Sequence, residues 1–408
     1  MIFMKVLYYH QYFKTPDYPG GIRSYEFAKQ LISRGHSVCM VCGSSHNLNL
    51  PKTQRKGITR GYIDGIEIIQ IMVSVTNKDN IFKRLIGFLI FILKSVNFAL
   101  FEDYDLLYTS STPLTVGIPG IIMKLFRKKI FVFEVRDLWP ELPKALGLKN
   151  PFLLWGMSIL EWMSYRFSDA CVGLSPGICD GIIKKAGNNK PVQMIPNASD
   201  LELLFPGERN NLELYGINPN HTVAVFTGSH GVANGLDSVL DAAKELMKMK
   251  RDDIVFAFVG DGKMKSHLLE RAKKEGISIC FFYDLVPKNV LSKILASVDI
   301  GLMILANVPA FYYGTSPNKF FDYIASGLPV FCNYPGWLAD MIIENNLGAV
   351  CPPNNPLAFA EQIIELADNK EALLQKGLNC RVFAEKNFCR QKMSENFVDF
   401  LEIISNKH

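Results

Sequence analysis

The segment Ser316-Pro317-Asn318-Lys319-Phe320-Phe321-Asp322-Tyr323-Ile324-Ala325-Ser326-Gly327-Leu328-Pro329-Val330 carries the most specific chemistry in the chain. Ser316 is placed to cap a helix that has Pro317 at its first position. The free N–H groups of that first turn then point outward, with Lys319 beside them. In chemical terms this is a cradle for a diphosphate. Asp322 lies about one turn further on, where a carboxylate can accept both hydroxyls of a ribose. Gly327 ends the helix and Val330 begins a strand. An ordinary capped helix would show the same local pattern.

Four further patterns need weighing. Pro19-Gly20-Gly21 follows an apolar run and opens a helical stretch. It reads equally as a loop whose backbone approaches an anion or as a tight turn. Gly260-Asp261-Gly262 begins a dinucleotide fingerprint, but Lys265 stands where the third glycine belongs, which argues against a nicotinamide site. Gly173-Leu174-Ser175-Pro176-Gly177 has the spacing of a nucleophile elbow. The oxyanion hole there needs the N–H of the residue after the serine, and Pro176 has none, so Ser175 is expected to cap a helix instead. Arg136 and Asp137 follow a strand end. They face a cleft, or they pair with each other.

The elements that must position these residues are short β-rich runs alternating with helical patterns. Strands are expected at Lys5–His10, Val38–Cys42, Leu106–Thr109, Ile130–Glu134, Ala170–Leu174 and Val192–Ile195, with a hairpin around Asp64-Gly65. The pattern restarts after residues 201–220, with strands at Val223–Thr227, Ile254–Gly260, Ile279–Phe282, Ile300–Met303 and Pro329–Phe331. This predicts an α/β chain of two doubly wound domains, 1–205 and 206–385, with a helical end, 386–408, that crosses back to the first. Ligands in such sheets sit beyond the carboxyl ends of the strands, so the cleft between the domains is the expected site.

Composition narrows the function. With 408 residues, 49% hydrophobic and 20% charged, the chain buries substantial cores and is not disordered. Its net charge of +5 is uneven: residues 1–205 hold 24 Lys/Arg against 16 Asp/Glu, whereas the remainder is slightly acidic. Only the first half is therefore expected to meet an anionic surface. No dense basic run with interleaved aromatics suggests nucleic acid. Nine cysteines without framework spacing suit buried thiols in a reducing compartment, Cys39 and Cys42 included. The start of the chain does not read as a signal peptide, and no apolar run is long enough to span a bilayer.

Taken together, several segments carry a resemblance that covers nearly the whole chain. They are His10–Phe13, Gly20–Glu26, Arg136–Glu141, Ile195–Asp200, Gly228-Ser229-His230-Gly231, Gly260–Gly262 and Ser316–Val330. The chain resembles retaining glycosyltransferases of family 4, which have the GT-B fold of two Rossmann-like domains. Within that family it is most similar to bacterial O-antigen and capsule enzymes of the L-fucosamine (FucNAc) transferase type. The resemblance implies a nucleotide-sugar donor, UDP by preference, held by the second domain through Gly228, Ser229, His230, Gly231, Ser316, Pro317, Asn318, Lys319 and Asp322. It implies a polyprenyl-diphosphate-linked saccharide as acceptor on the first domain. Gly20 and Gly21 would form the diphosphate or acceptor loop, and Arg136, Asp137 and Lys319 would act in the reaction. Neither metal nor cofactor is implied. Asp322 matches the second acid of the family's E-x7-E motif, and Gly314 stands where the first would be. The Arg and Lys that the family often carries after the second domain's first strand correspond to Ser229 and Asn234. Lys319 is therefore the candidate for the positive charge, assisted by His230.

A membrane contact is read from the apolar run Leu85–Leu93, flanked by Lys83, Arg84 and Lys94, and from Lys124, Arg127, Lys128 and Lys129. A buried core helix is the alternative. The expected location is cytoplasmic, on the inner face of the cytoplasmic membrane. A nucleotide-sugar 2-epimerase of the same architecture and a non-catalytic peripheral membrane protein are the competing functions.

Overall fold

The computed structural model describes residues 3–18, 20–44, 48, 50, 57–73, 81–207 and 216–408. Pro19 and the side chains of residues 81, 82, 84 and 85, including Arg84 and Leu85, lie outside that description.

The first sheet contains β1 (Lys5–Tyr9), β2 (Ser37–Gly43), β3 (Ile58–Ile63), β4 (Ile66–Ile71), β5 (Leu106–Ser110), β6 (Ile130–Val135), β7 (Ala170–Gly173) and β8 (Val192–Met194). Their order is β3-β4-β2-β1-β5-β6-β7-β8, and only β3 runs antiparallel. Asp64 and Gly65 join β3 to β4 with φ values of 48° and 84°, the left-handed pair that a two-residue hairpin turn requires. The helices are α1 (Arg23–Ser33), α2 (Ile81–Phe101), α3 (Gly117–Phe126), α4 (Glu141–Ala145), α5 (Pro151–Phe167) and α6 (Pro176–Ala186). Helices α2, α3, α5 and α6 pack on one face of this sheet, around Phe91, Phe98, Phe131, Phe133 and Tyr165.

The second sheet is wholly parallel. It contains β9 (Thr222–Thr227), β10 (Ile254–Val259), β11 (Cys280–Tyr283), β12 (Ile300–Met303), β13 (Val330–Cys332) and β14 (Gly348–Val350), in the order β11-β10-β9-β12-β13-β14. Its helices are α7 (Asp237–Lys248), α8 (Lys265–Lys274), α9 (Lys288–Leu295), α10 (Pro309–Tyr312), α11 (Asn318–Ala325), α12 (Trp337–Glu344), α13 (Pro356–Asp368) and α14 (Lys370–Asn387). β10 is buried along its whole length, as a central parallel strand must be.

Helix α15 (Arg390–Ser405) returns to the first domain and covers the face that α1 shares. Phe397 stacks on Phe27 with centroids 4.1 Å apart and meets Tyr108 edge-on. Arg34 of α1 pairs with Asp399 and Glu402 of α15. The two interdomain crossings touch each other: Ser199 donates its N–H to Phe388 O, and Arg390 donates to Ser199 O.

Each sheet reverses its strand order once, between β1 and β5 and between β9 and β12. Ligands bind beyond the carboxyl ends of strands at such points. His10 follows β1 there, and Gly228 follows β9.

Candidate active site

β9 ends in the loop Gly228-Ser229-His230-Gly231, which is tied to the loop after β10. His230 N–H donates to Asp261 O, and Met264 N–H donates to His230 O, both at 2.9 Å. The two loops are so close that a β-carbon on Gly260 would lie 1.9 Å from Gly228 O. One on Gly262 would lie 2.5 Å from His230 O. Backbone packing of loop on loop therefore accounts for Gly260-Asp261-Gly262. Lys265 clamps the same region by donating to Gly260 O, Tyr283 O and Asp284.

His230 is fully buried near Phe226 and Phe258, and neither ring nitrogen has a hydrogen-bond partner among the described residues. Burial, then Lys265, pushes its pKa down to about 4. It is neutral at pH 7, which corrects the expectation that it adds positive charge.

Lys319 stands in the first turn of α11. Its Nζ donates to Asn234 Oδ1 at 2.8 Å and lies 3.8 Å from the centroid of the Phe226 ring. Burial lowers its pKa to about 7. Asn234 Nδ2 in turn donates to Ser229 O at 2.7 Å. Ser316 does not cap α11: the helix begins at Asn318 with Pro317 as its flanking residue and without a side-chain cap. Ser316 Oγ instead accepts from Asn197 N–H at 3.0 Å, because the interdomain segment 195–200 runs beside it. The first-turn N–H groups of α11 are thus left without a side-chain cap.

Asp322, 5% exposed, faces Lys288, whose Nζ is 2.9 Å from both carboxylate oxygens. Ser199 Oγ also donates to Oδ1 at 2.6 Å. Lys288 and Ser199 were not singled out from the sequence. Lys288 lies 34 residues from Asp322, and no local spacing pattern links the two.

A cavity of about 240 Å³ brings these elements together. Its polar lining comes from Gly20 and Gly21 of the first domain and from Thr227, Gly228, Lys288, Asn318, Lys319 and Asp322 of the second. Val259, Leu285, Val286 and Leu291 line it with apolar surface. Gly21 approaches Asn318 so closely that a β-carbon there would lie 2.9 Å from Asn318 Nδ2. The glycine loop therefore faces the start of α11 across the cleft. Ser229, His230, Gly231, Ser316 and Pro317 support this lining from behind or beside it and are not part of it.

Arg136 and Asp137 also lie outside this lining and make no ion pair with each other. Asp137 accepts from Thr112 Oγ1 at 2.9 Å, and burial raises its pKa. Arg136 Nη1 is 3.2 Å from His10 Nε2, and His10 Nδ1 is 2.7 Å from Ser24 Oγ. Arginine only donates, so Nε2 accepts and the proton sits on Nδ1. Burial, then Arg136, pushes the His10 pKa down to about 3, consistent with a neutral ring. Beneath lies Arg23, bonded to Glu134 at 2.8 Å and to Ile195 O and Pro196 O at 2.7 Å. Burial opposes the charge on Glu134, yet Arg23, Arg136 and Ser110 together hold its carboxyl below the usual range.

Position 314 has no room for an acid. A β-carbon on Gly314 would lie 2.6 Å from Ala310 O. Ser175 caps α6, accepting from Ile178 N–H, and its hydroxyl donates to Tyr313 O at 2.7 Å across the domain boundary.

The basic residues expected at a membrane are mostly engaged internally. Lys124 pairs with Asp169 at 2.6 Å. Arg127 donates to Ala99 O and Glu102 O, Lys129 to Tyr104 O, and Lys94 to Gly57 O. These acceptors lie at the end of α2 and in the loop after it, just before β7 (Asp169) and just before β3 (Gly57), which corrects the reading of these four as a free basic surface. Lys83 and Lys128 are exposed. Among the described residues, no helix is long and apolar enough to cross a membrane.

Two parallel-stranded Rossmann-like domains facing a cleft define the GT-B class of proteins. Family models agree with this: "Glycosyltransferase Family 4" matches residues 20–203, and "Glycosyl transferases group 1" matches residues 221–369. The two models thus match the two domains of the chain, one each, to glycosyltransferases, and the fold is GT-B.

Among curated relatives, one named as a glycosyltransferase, WbjE of Pseudomonas aeruginosa, is 23% identical over 58% of this chain and 60% of its own length. Another, WcaI of Escherichia coli K12, named for colanic acid biosynthesis, is 24% identical over 47% of this chain and 45% of its own. The chain thus matches about half the length of these relatives. Solved structures share the whole fold. Sucrose-phosphate synthase of Thermosynechococcus elongatus superposes with a TM-score of 0.79 at 13% identity, covering 99% of this chain and 100% of that one. HepE of Anabaena, in complex with UDP-glucose, gives 0.70 at 17% identity, covering 98% and 99%.

Proposed function

We propose that the protein transfers a sugar from a UDP-sugar to a polyprenyl-diphosphate-linked saccharide in the synthesis of a bacterial surface polysaccharide, with retention at the anomeric carbon and without a metal. The donor sugar is an N-acetylated or 6-deoxy amino sugar of the FucNAc kind. The single observation that carries the reading is the interdomain cavity. There the Gly20-Gly21 loop faces Gly228, Lys319 and the uncapped start of α11, with Asp322 at one side and apolar residues behind. The name of WbjE supports glycosyl transfer, that of WcaI a surface-polysaccharide product, and the UDP-glucose held by HepE a UDP-sugar donor.

The chemistry follows from the groups present. The uracil would lie against Val259, Leu285 and Val286, and the ribose hydroxyls would donate to Asp322. The diphosphate would lie between the glycine loop, the N–H groups of α11 and Lys319. As the anomeric C–O bond breaks, negative charge grows on the leaving diphosphate. Lys319, loosely held by a neutral asparagine, becomes fully charged against it. The acceptor oxygen bonds to the anomeric carbon on the face the diphosphate leaves, and its proton passes to the leaving phosphate oxygen. UDP and the extended saccharide result. This step needs positioning more than a strong base. Arg136, oriented through His10 and Ser24, and Asp137 would hold the sugar or acceptor hydroxyls at the first-domain wall.

Incubation with UDP-sugars, with and without a polyprenyl-diphosphate saccharide, tests the proposal. Transfer only when acceptor is present is expected. An altered free nucleotide sugar without acceptor would indicate the epimerase, which the family models and named relatives do not favour.

A further inference from the structure

Helix α5 turns a row of large apolar side chains away from the protein. Phe152 is 83% exposed, Trp155 68%, Ile159 37% and Trp162 50%. Their spacing of three, four and three residues places them on one face. Tyr165 and Glu161 hold the opposite face in the core, with Tyr165 Oη donating to Glu161. The row is not isolated. Helix α3 packs between α5 and α2 on the same side of the sheet. Leu125 and Phe126 are exposed on α3, and Ile86, Leu89 and Leu93 on α2. An apolar surface spread over three adjacent helices exceeds the scattered single residues that a water-facing surface normally shows.

Charge identifies the occupant. Helices α2, α3 and α5 contain one acidic residue, Glu161, which is buried and bonded to Lys185. Exposed cations flank the apolar rows: Lys83 at the start of α2, Lys128 after α3, Lys149 before α5 and Arg166 at its end. An apolar face with tryptophans, bordered by cations and with no exposed carboxylate within the three helices themselves, complements an anionic lipid surface. A second copy of the chain would bring the same cations against each other. None of these helices can span a bilayer, so they would lie in its surface.

We propose that α5, with the exposed faces of α3 and α2, forms a membrane-seated face. In it Phe152, Trp155 and Trp162 enter the headgroup–acyl boundary while Lys128, Lys149 and Arg166 meet anionic headgroups. This deepens the proposed function by fixing which surface meets the lipid that carries the acceptor. It replaces the largely engaged basic set with an aromatic one. The chain leads from β6 and Arg136 through α4 directly into α5.

Co-sedimentation with vesicles of phosphatidylethanolamine and phosphatidylglycerol tests the proposal. The variant F152Q/W155Q/W162Q is expected to lose binding by about tenfold or more. K128E/K149E is expected to lose binding chiefly at low salt. Wild-type protein should bind pure phosphatidylcholine more weakly. A second readout needs no variant. Of four tryptophans, Trp139 and Trp337 are half-buried and buried, so quenching by lipids brominated in the acyl chain reports on Trp155 and Trp162. Quenching supports the proposal. Wild-type sedimentation by the aromatic variant, absence of quenching, or a dimer broken by the variant without vesicle binding would overturn it. UDP titration of the same variants keeps the two readings separate: unchanged UDP affinity is expected, and absence of UDP binding in wild type would remove the donor reading while leaving the lipid result intact.

Discussion

Asn234 accepts a hydrogen bond from Lys319 Nζ at 2.8 Å, and so holds the ammonium over the Phe226 ring beside the cavity. Asn234 occupies one of the two places where the family resemblance expects a cation, and Lys319 brings charge to the same spot from another helix. Lys319→Ala is predicted to lower kcat, because a charge-assisted bond of about 1.5–3 kcal/mol is lost where charge develops. Asn234→Ala should cost less, since the cation remains. Steady-state kinetics with a saturating donor decides this; equal, negligible effects would remove Lys319 from the reaction.

The pKa of about 7 for Lys319 makes donor binding depend on pH. The ammonium is present below about pH 7 and is lost above it, so in the free protein the charge that meets the diphosphate declines as pH rises. Affinity for UDP is therefore predicted to be greatest near or below neutrality and to fall between pH 7 and 9. Bound diphosphate would itself raise the pKa and soften the slope. Lys319→Arg stays charged throughout and should flatten this fall. Calorimetric titration at several pH values measures both; parallel pH profiles for the two proteins would count against the assignment.

Asp322 and Lys288 form one unit. Removing either leaves a partly buried charge without its partner, so Asp322→Asn and Lys288→Met should each weaken UDP binding, and the double variant should cost less than their sum. A double-mutant cycle on UDP affinity gives the coupling. Strict additivity would mean that the pair does not act together at the ribose.

Much of this was legible in the sequence, and the exceptions have physical causes. The alternation of β-rich runs and helices predicted both sheets apart from the short edge strand β14, and Pro176 correctly turned Ser175 from a nucleophile into a cap. Lys319 and Asp322, which line the cavity, could be singled out because one helix carries both at readable spacing. Lys288 and Ser199 were missed because they meet Asp322 only through tertiary packing. Ser316 was misplaced as a cap because its partner, Asn197, lies 119 residues away. His230 was credited with a charge that its burial removes. The basic set around α3 looked like a surface because a sequence does not show that Asp169 and helix-end carbonyls occupy Lys124, Arg127 and Lys129. The exposed row on α5 went unseen for the converse reason: an apolar stripe at helical spacing looks the same whether it faces the core or the outside.

Transfer is predicted to survive EDTA. Lys319, the N–H groups of α11 and the glycine loop supply the positive potential that a divalent ion would otherwise bring. An activity assay before and after chelation checks this; loss restored by magnesium or manganese would contradict it.

The central claim is that the interdomain cavity holds the diphosphate of a nucleotide sugar. A crystal structure with UDP tests it most directly. The account predicts phosphate oxygens within hydrogen-bonding distance of Lys319 Nζ and of the first-turn N–H groups of α11, with the ribose hydroxyls at Asp322. UDP bound elsewhere, or bound in the cavity with its diphosphate away from Lys319 and α11, would contradict it.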